Sequence, residues 1–475
     1  MGSPSTQAMN LIPKPIQSCW LGIFTLLLGC LLTGCGGDKS NPNAILLKKL
    51  LVPDPFLAEG PDKILFGGDI RIGDLTGNER VDFLVYRSQE SAHDDGCMKP
   101  CFLGAFDIDG KILWQVGEGG GQPTRPGPVA IHDIDGDNES EVISFFLNPE
   151  VDCPPSSLRN VVLQIRDGKT GSLEKEAAPE ALLAAEGQGP NWVHQRLFIC
   201  NLRGTDTPRD FIVKLGTQVL AFDQDLNVLW TYSNPWDEYT KCPAYIPSVG
   251  DIDNDGKDEI NGGYFLLDND GSILWEKQLG RNMDSVTIAP WDDGKMRAFG
   301  SGFGYVLDTQ GNEILKLGEA LVPHGQELRV ADFDPDSPGP EMIIRNVGHK
   351  TPVLVVGNDG RVLRQFELNK SPNNTGMEAI FWYGPSKTAL LYNGGTLWNG
   401  DGTVFSELPD LPPPFGPKKH GWYHCIPVDL SGGEGEELVV YNPWDRFVAI
   451  YGSSMEGDLK NYKATPRQYN VRLMD

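Results

Sequence analysis

Gly250-Asp251-Ile252-Asp253-Asn254-Asp255-Gly256-Lys257-Asp258-Glu259-Ile260 sets three aspartates at alternate positions, then a glycine, then a glutamate four residues past the third aspartate. Hard cations such as Ca²⁺ take several oxygen ligands at about 2.3–2.6 Å. Alternate residues of a tight loop aim their side chains at one centre. Asp251, Asp253 and Asp255 therefore offer carboxylates, Lys257 a backbone carbonyl and Glu259 a last carboxylate. The apolar run that follows, ending at Leu266-Leu267-Asp268, reads as strand rather than helix. The loop therefore belongs to an all-β setting. The alternative reading is a solvated acidic turn with no ion.

The same loop recurs along the chain. Asp133, Asp135, Asp137 and Glu141 form a second strong copy. Asp332, Asp334, Asp336 and Glu341 form a third, one residue longer. Weaker copies begin at Asp74, Asn201, Trp291, Phe381 and Asp429. Between them runs a second signature, an apolar strand, a tight turn and another strand, as in Phe106-Asp-Ile-Asp-Gly110-Lys-Ile-Leu-Trp114. Asp-Gly between apolar runs makes a hairpin turn, because glycine takes positive φ at low cost. The recurring Trp114, Trp230 and Trp275 suit packing between repeats. Eight such units predict an eight-bladed β-propeller over residues 60–460, with almost no helix. Seven blades is the alternative, if the units at Trp291 or Trp382 are not true repeats.

A chain of 475 residues with 56 glycines and 36 prolines spread along it fits many short strands and turns. The formal net charge of −25 argues against nucleic acid and anionic membrane surfaces as direct partners. It suits a protein that carries calcium. Residues 1–34 read as a targeting signal, whose apolar run from Trp20 to Leu32 leads into Leu32-Thr33-Gly34-Cys35. That ending resembles a bacterial lipobox, so Cys35 is expected to carry lipid and tether the chain to a membrane. Gly36 after it points to the outer membrane of a Gram-negative bacterium. Residues 35–59 are then a tether and a possible ring-closing segment, and residues 461–475 a tail packed on the ring. Six further cysteines outside the cytoplasm permit disulfides. Pairing of Cys97 or Cys101 with Cys153 is expected, with six free thiols as the alternative. A monomer is expected.

The short Asp-rich repeats resemble FG-GAP-type propeller repeats. His324-Gly-Gln-Glu-Leu-Arg329-Val-Ala-Asp332-Phe-Asp-Pro-Asp336, the Gly250–Ile260 loop and the Val161–Gly171 stretch are more specifically similar to rhamnogalacturonan lyases of polysaccharide lyase family 11. The resemblance implies an eight-bladed propeller with bound calcium that cleaves an acidic, uronate-containing polysaccharide by β-elimination. That reaction removes the proton α to a carboxylate, so it needs a base and a cation on the carboxylate. Candidate bases are His324, His194, His420, Tyr423 and Lys419. Arg196, Arg329 or bound Ca²⁺ would hold the carboxylate. Lys418-Lys419-His420-Gly421-Trp422-Tyr423-His424 is the densest cationic and aromatic cluster. The chain departs from the family at Gln326, where an acid is usual, at Arg329, where a His is usual, and at Lys241-Cys242-Pro243, which replaces a His-bearing loop. The alternative function is a non-catalytic propeller lipoprotein that binds glycans or proteins.

Overall fold

The computed structural model describes residues 44–60, 63–89, 99–121, 127–148, 150, 157–189, 196–368, 376–382, 388–413, 423–433, 435–453 and 459–463. Cys35, Cys97, Cys153, His194 and Lys418–Trp422 lie outside them. The described chain is built on eight four-stranded antiparallel sheets. Seven of them take their four strands in sequence order. The eighth is made of Phe447–Gly452, Glu437–Tyr441 and His424–Val428, completed at its outer edge by Ile45–Leu51 from the start of the described chain. Both units that the sequence left in question, at Trp291 and Trp382, are true blades, so the propeller has eight rather than seven.

The first strands of the blades are Asp69–Gly73, Val129–His132, Arg196–Cys200, Ser248–Gly250, Val286–Pro290, Glu327–Ala331, Glu378–Ile380 and His424–Val428. From the blade at Asp69 to the blade at His424, each first strand touches the next, which makes them the inner wall of the ring. Apolar cores lie between neighbouring blades. Leu84, Tyr86 and Leu103 of blade 1 meet Val129 and Ile131 of blade 2, and Ile426, Val439 and Tyr441 of blade 8 meet Ile70 and Ile72 of blade 1. Each blade therefore buries its faces only against its neighbours, as radial repetition requires. At the seam the Tyr441 hydroxyl of blade 8 donates to buried Asp69 of blade 1, and Tyr86 donates to the same carboxylate at 3.0 Å. Residues 459–463 cross this seam, with the Tyr462 N–H on the Glu79 carbonyl at 2.8 Å. The helix described is Glu180–Ala184, with short 3₁₀ turns that include Asp54–Phe56 and Asp292–Gly294. Among the described residues, no helix is long and apolar enough to cross a membrane. Cys101, Cys200 and Cys242 are free buried thiols, so the pairing considered for Cys101 is not formed.

Antiparallel order fixes what each rim of the ring carries. The acidic loops join first to second strands, and the Asp-Gly turns join third to fourth strands, so both lie on one rim. The turns between second and third strands, and the connections from blade to blade, lie on the other.

The aromatic end of a fourth strand packs on the hairpin glycine of the next blade. The Trp230 indole N–H donates to the Asn269 carbonyl at 3.0 Å, and a Cβ on Gly271 would sit 2.6 Å from the Trp230 ring. Gly171 stands against Trp114, and Gly311 against Trp275, in the same way. These glycines are required twice, for positive φ and for close approach. Gly110 has φ +81° but open space around it. Gly271→Ala should therefore cost about 2–4 kcal/mol, strain plus overpacking. Gly110→Ala should cost only about 1 kcal/mol. Thermal or denaturant unfolding of the two variants checks the difference.

Candidate active site and cation loops

In six loops the last acid is the first residue of the second strand, and burial there is what shapes its chemistry. Glu141, Glu259 and Glu341 each accept a loop N–H on one carboxylate oxygen, from Ile134 at 2.9 Å, Ile252 at 2.8 Å and Phe333 at 2.8 Å. For Glu259 and Glu341 the other oxygen is buried with no hydrogen bond. Burial pushes the Glu141 and Glu259 carboxyls up to about 8, with neighbouring aspartates adding to the shift. A buried carboxylate oxygen without a partner is costly. It calls for a cation.

The remaining acids supply such a place in two loops. Asp133, Asp135 and Glu141 offer oxygens that all lie within 4.8 Å of one another, and so do Asp251, Asp253 and Asp255. These residues fit a divalent cation. The loop of blade 6 is different. Asp332, Asp334, Asp336 and Glu341 do not bring three ligand atoms that close among the described residues, and Arg364 stands 3.8 Å from Asp334. The extra residue of that loop spreads its acids.

Two degraded loops carry their own cation, and a third carries a hydroxyl. In blade 3, Arg203 Nε donates to Asp210 Oδ1 at 2.7 Å, while the Leu202 N–H takes Oδ2 at 3.0 Å. In blade 5, Arg297 grips both oxygens of Asp292, each at 2.7 Å. In blade 8 the Ser431 hydroxyl donates to the second oxygen of Glu437 at 2.8 Å. The equivalent acid is met by a side chain in blades 3 and 8, and in blades 2 and 4 it belongs to a loop whose acids could hold an ion.

His324 lies on the opposite rim. In blade 6 the chain runs from His324, along Glu327–Ala331, to the acidic loop at Asp332, and that strand alone rises about 13 Å. The acidic loops and His324 therefore lie at opposite ends of the blade, so a cation in these loops would stand away from a uronate beside His324. Around His324 five segments meet. The connection into blade 4 is tied to the connection out of it, through the Asn282 N–H on Thr240 O at 2.9 Å and the Met283 N–H on Cys242 O at 3.1 Å. The Gly325 N–H donates to Gly302 O of a blade 5 turn at 2.9 Å, and the Gly348 N–H of a blade 6 turn donates to His324 O at 2.6 Å. A Cβ on Gly325 would sit 2.0 Å from Ser301 O, so only glycine lets these segments close.

His324 Nε2 lies 2.7 Å from Asp284 Oδ2. Asp284 is nearly buried, and its other oxygen accepts from Asn282 Nδ2 at 2.8 Å. The His324 side chain keeps 26 % of its surface exposed. With Nε2–H donating to Asp284, Nδ1 carries the lone pair. Any side chain at position 348 would crowd that atom, because a Cβ there would lie 3.0 Å from it. Aromatic rings flank the site. Tyr239 is exposed beside Tyr245 with ring centroids 6.2 Å apart, and Phe303 is partly exposed on the blade 5 turn. Beneath lie buried Cys242, its thiol pushed up to about 11 by burial, and buried Lys214, its ammonium pushed down to about 8 by burial.

Other sequence candidates are placed differently. Arg329 is committed to Glu378, at 3.2 Å, with Glu327 at 3.7 Å, so the expected carboxylate clamp is part of the inner wall. Arg196 is buried at the start of its strand. Tyr423 is buried, with its hydroxyl donating to Pro412 O. His194 and His420 lie outside the described residues. Asp284 and Arg281, which no motif marks, stand at the site instead.

Together these features define an eight-bladed propeller with cation loops on one rim and a His–Asp pair on the other. No protein-family model matches the chain. It is 25 % identical over 301 residues to the rhamnogalacturonan exolyase YesX of Bacillus subtilis (strain 168), covering 55 % of this chain and 46 % of that protein. It is 23 % identical over 263 residues to the rhamnogalacturonan endolyase YesW of the same organism, covering 48 % and 42 %. The chain thus spans about half the length of the curated relatives it matches. Among solved structures, the rhamnogalacturonan lyase PL11 of Bacillus licheniformis aligns with a TM-score of 0.65 at 18 % identity, over 87 % of this chain and 75 % of that one. The YesW structure aligns at 0.64 and 18 %, over 86 % and 75 %. The fold is that of the rhamnogalacturonan lyases, as the His324–Asp336 stretch implied.

Removing divalent cations with excess chelator should lower the melting temperature by roughly 5 °C. The raised Glu141 and Glu259 carboxyls hold their protons more tightly when folded than when unfolded. In chelator, stability should therefore fall as pH rises from about 4.5 to about 8, and added cation should flatten that slope. Arg203→Met should cost about 1–3 kcal/mol with or without cation, because Asp210 loses its only neutralising group. Scanning calorimetry across pH measures all three.

Proposed function

We propose that the chain is a polysaccharide lyase that cleaves a uronate-containing backbone of the rhamnogalacturonan type by β-elimination. The observation that carries this reading is the His324–Asp284 pair, half-open on the connection rim of a propeller with the rhamnogalacturonan lyase fold. His324 Nδ1 takes the proton α to the uronate carboxylate, and the electron pair expels the glycosidic oxygen on the β carbon. Asp284 is a positioning residue. It fixes the imidazole tautomer and stabilises the charge that Nδ1 acquires. Exposed Tyr239 and Phe303 offer planar surfaces for sugar faces.

Calcium is the cation proposed for the loops at Asp133 and Asp251, since all-oxygen donor sets suit it. When bound it neutralises the clustered acids and stiffens the blades. Lipid attachment at Cys35 and an outer-membrane address are proposed on the lipobox alone. They would place the enzyme where acidic polysaccharide arrives from outside.

The test is incubation of the purified protein with rhamnogalacturonan and other uronate polymers, following the ultraviolet absorbance of unsaturated uronate. His324→Ala should lower the rate by roughly 10²–10⁴-fold at unchanged melting temperature, the usual share of a general base. Binding without product on any polymer would move the chain to a glycan-binding role. In cells, Cys35→Ser should shift the protein from the membrane to the soluble fraction, and unchanged fractionation would remove the anchor.

A further inference from the structure

We propose that Arg281 is the residue that binds the substrate carboxylate at this site, a role that rests on the uronate reading above. A β-eliminating site needs a cation beside the carboxylate, because charge flows onto it as the α proton leaves. The acidic loops are on the far rim, Arg329 is held by Glu378 and Glu327, and Arg345 has no exposed surface. Arg281 meets the requirement from a connection that neither the acidic repeat nor the hairpin signature covers.

Its place is fixed through the backbone. Arg281 O accepts the Tyr264 hydroxyl at 2.8 Å. A Cβ on Gly302 would lie 3.3 Å from the same oxygen. Gly302 O in turn receives the Gly325 N–H at 2.9 Å, next to His324. The following residue, Asn282, binds Asp284, the partner of His324. Arg281 thus stands one residue from each of two segments that build the His–Asp pair.

Its guanidinium is unspent. Arg281 is partly exposed, is joined to no acid among the described residues, and its Nε is buried with no hydrogen bond. A buried donor without an acceptor is costly, and nothing in the protein repays it here. A planar carboxylate would, through a two-pronged pair with Nε and a terminal nitrogen. Next to it the Phe303 ring approaches Gly280, giving the sugar a flat apolar neighbour. In a chain of net charge −25, a fixed cation at the point of contact is also what lets a polyanion dock.

The experiment uses full-length protein, rhamnogalacturonan oligosaccharides, and the same oligosaccharides with uronate carboxyls reduced to alcohols. Binding is followed by calorimetry and cleavage by ultraviolet absorbance. The wild type should bind the native oligosaccharide at least about tenfold more tightly than the reduced one. Arg281→Ala should abolish that preference and lower cleavage about 100-fold or more, while binding the reduced oligosaccharide as the wild type does. Arg281→Lys should recover part of the preference. If the wild type cleaves and Arg281→Ala cleaves equally well, the assignment is wrong and the lyase reading stands. If the wild type binds with an Arg281-dependent preference but never cleaves, the assignment stands and the lyase reading falls. If the wild type shows neither cleavage nor preference, both fall.

Discussion

A short inner strand per blade, held against its neighbours around a closed ring, is the constraint on which everything else depends. In blade 6, Glu327–Ala331 has five residues, yet it separates His324 on one rim from Asp332 on the other. Because every blade repeats that order, every acidic loop faces one way and every blade-to-blade connection faces the other. The ring stays closed because Ile45–Leu51 pairs with Phe447–Gly452, with Tyr441 bound across the seam to Asp69. If that closure opened, the alignment of five segments around His324 would go with it.

Charge is managed by position. A strongly acidic chain cannot bury carboxylates cheaply, yet Glu141, Glu259 and Glu341 are almost completely buried at the heads of second strands. Each accepts a loop N–H on one oxygen, and in Glu259 and Glu341 the other oxygen is buried with no hydrogen bond. Blade 3 meets the same problem with Arg203 on Asp210, and so has lost the open acidic cup. The rim with the acidic loops is therefore where stability depends on neutralising buried acids, and the other rim carries His324 and Asp284.

Much of this was legible in the sequence because it is local. The spacing of Asp251, Asp253 and Asp255 and the Asp-Gly hairpins recur within single blades, and the glycine that accepts Trp230 sits where the hairpin demands one. The order of loops and turns even assigns the rims. The site was only half legible. His324 drew attention through its neighbours in sequence, but Asp284 lies 40 positions away and is brought in by a connection with no repeat. Arg329 looked available because its partner Glu378 lies 49 positions on, in the first strand of the next blade. Arg281 went unseen because an unpartnered side chain can be recognised only once the partners of its neighbours are known. In the loop at Asp332, four acids looked sufficient, but one added residue separates them.

The division of labour between rims is tested most directly by a crystal structure of the protein soaked with Ca²⁺ and a short oligouronate. The expected result is calcium in the loops at Asp133 and Asp251, with the sugar on the other rim, its carboxylate on Arg281 and its α carbon facing His324 Nδ1. A uronate bound instead through the calcium at Asp251 would contradict the account.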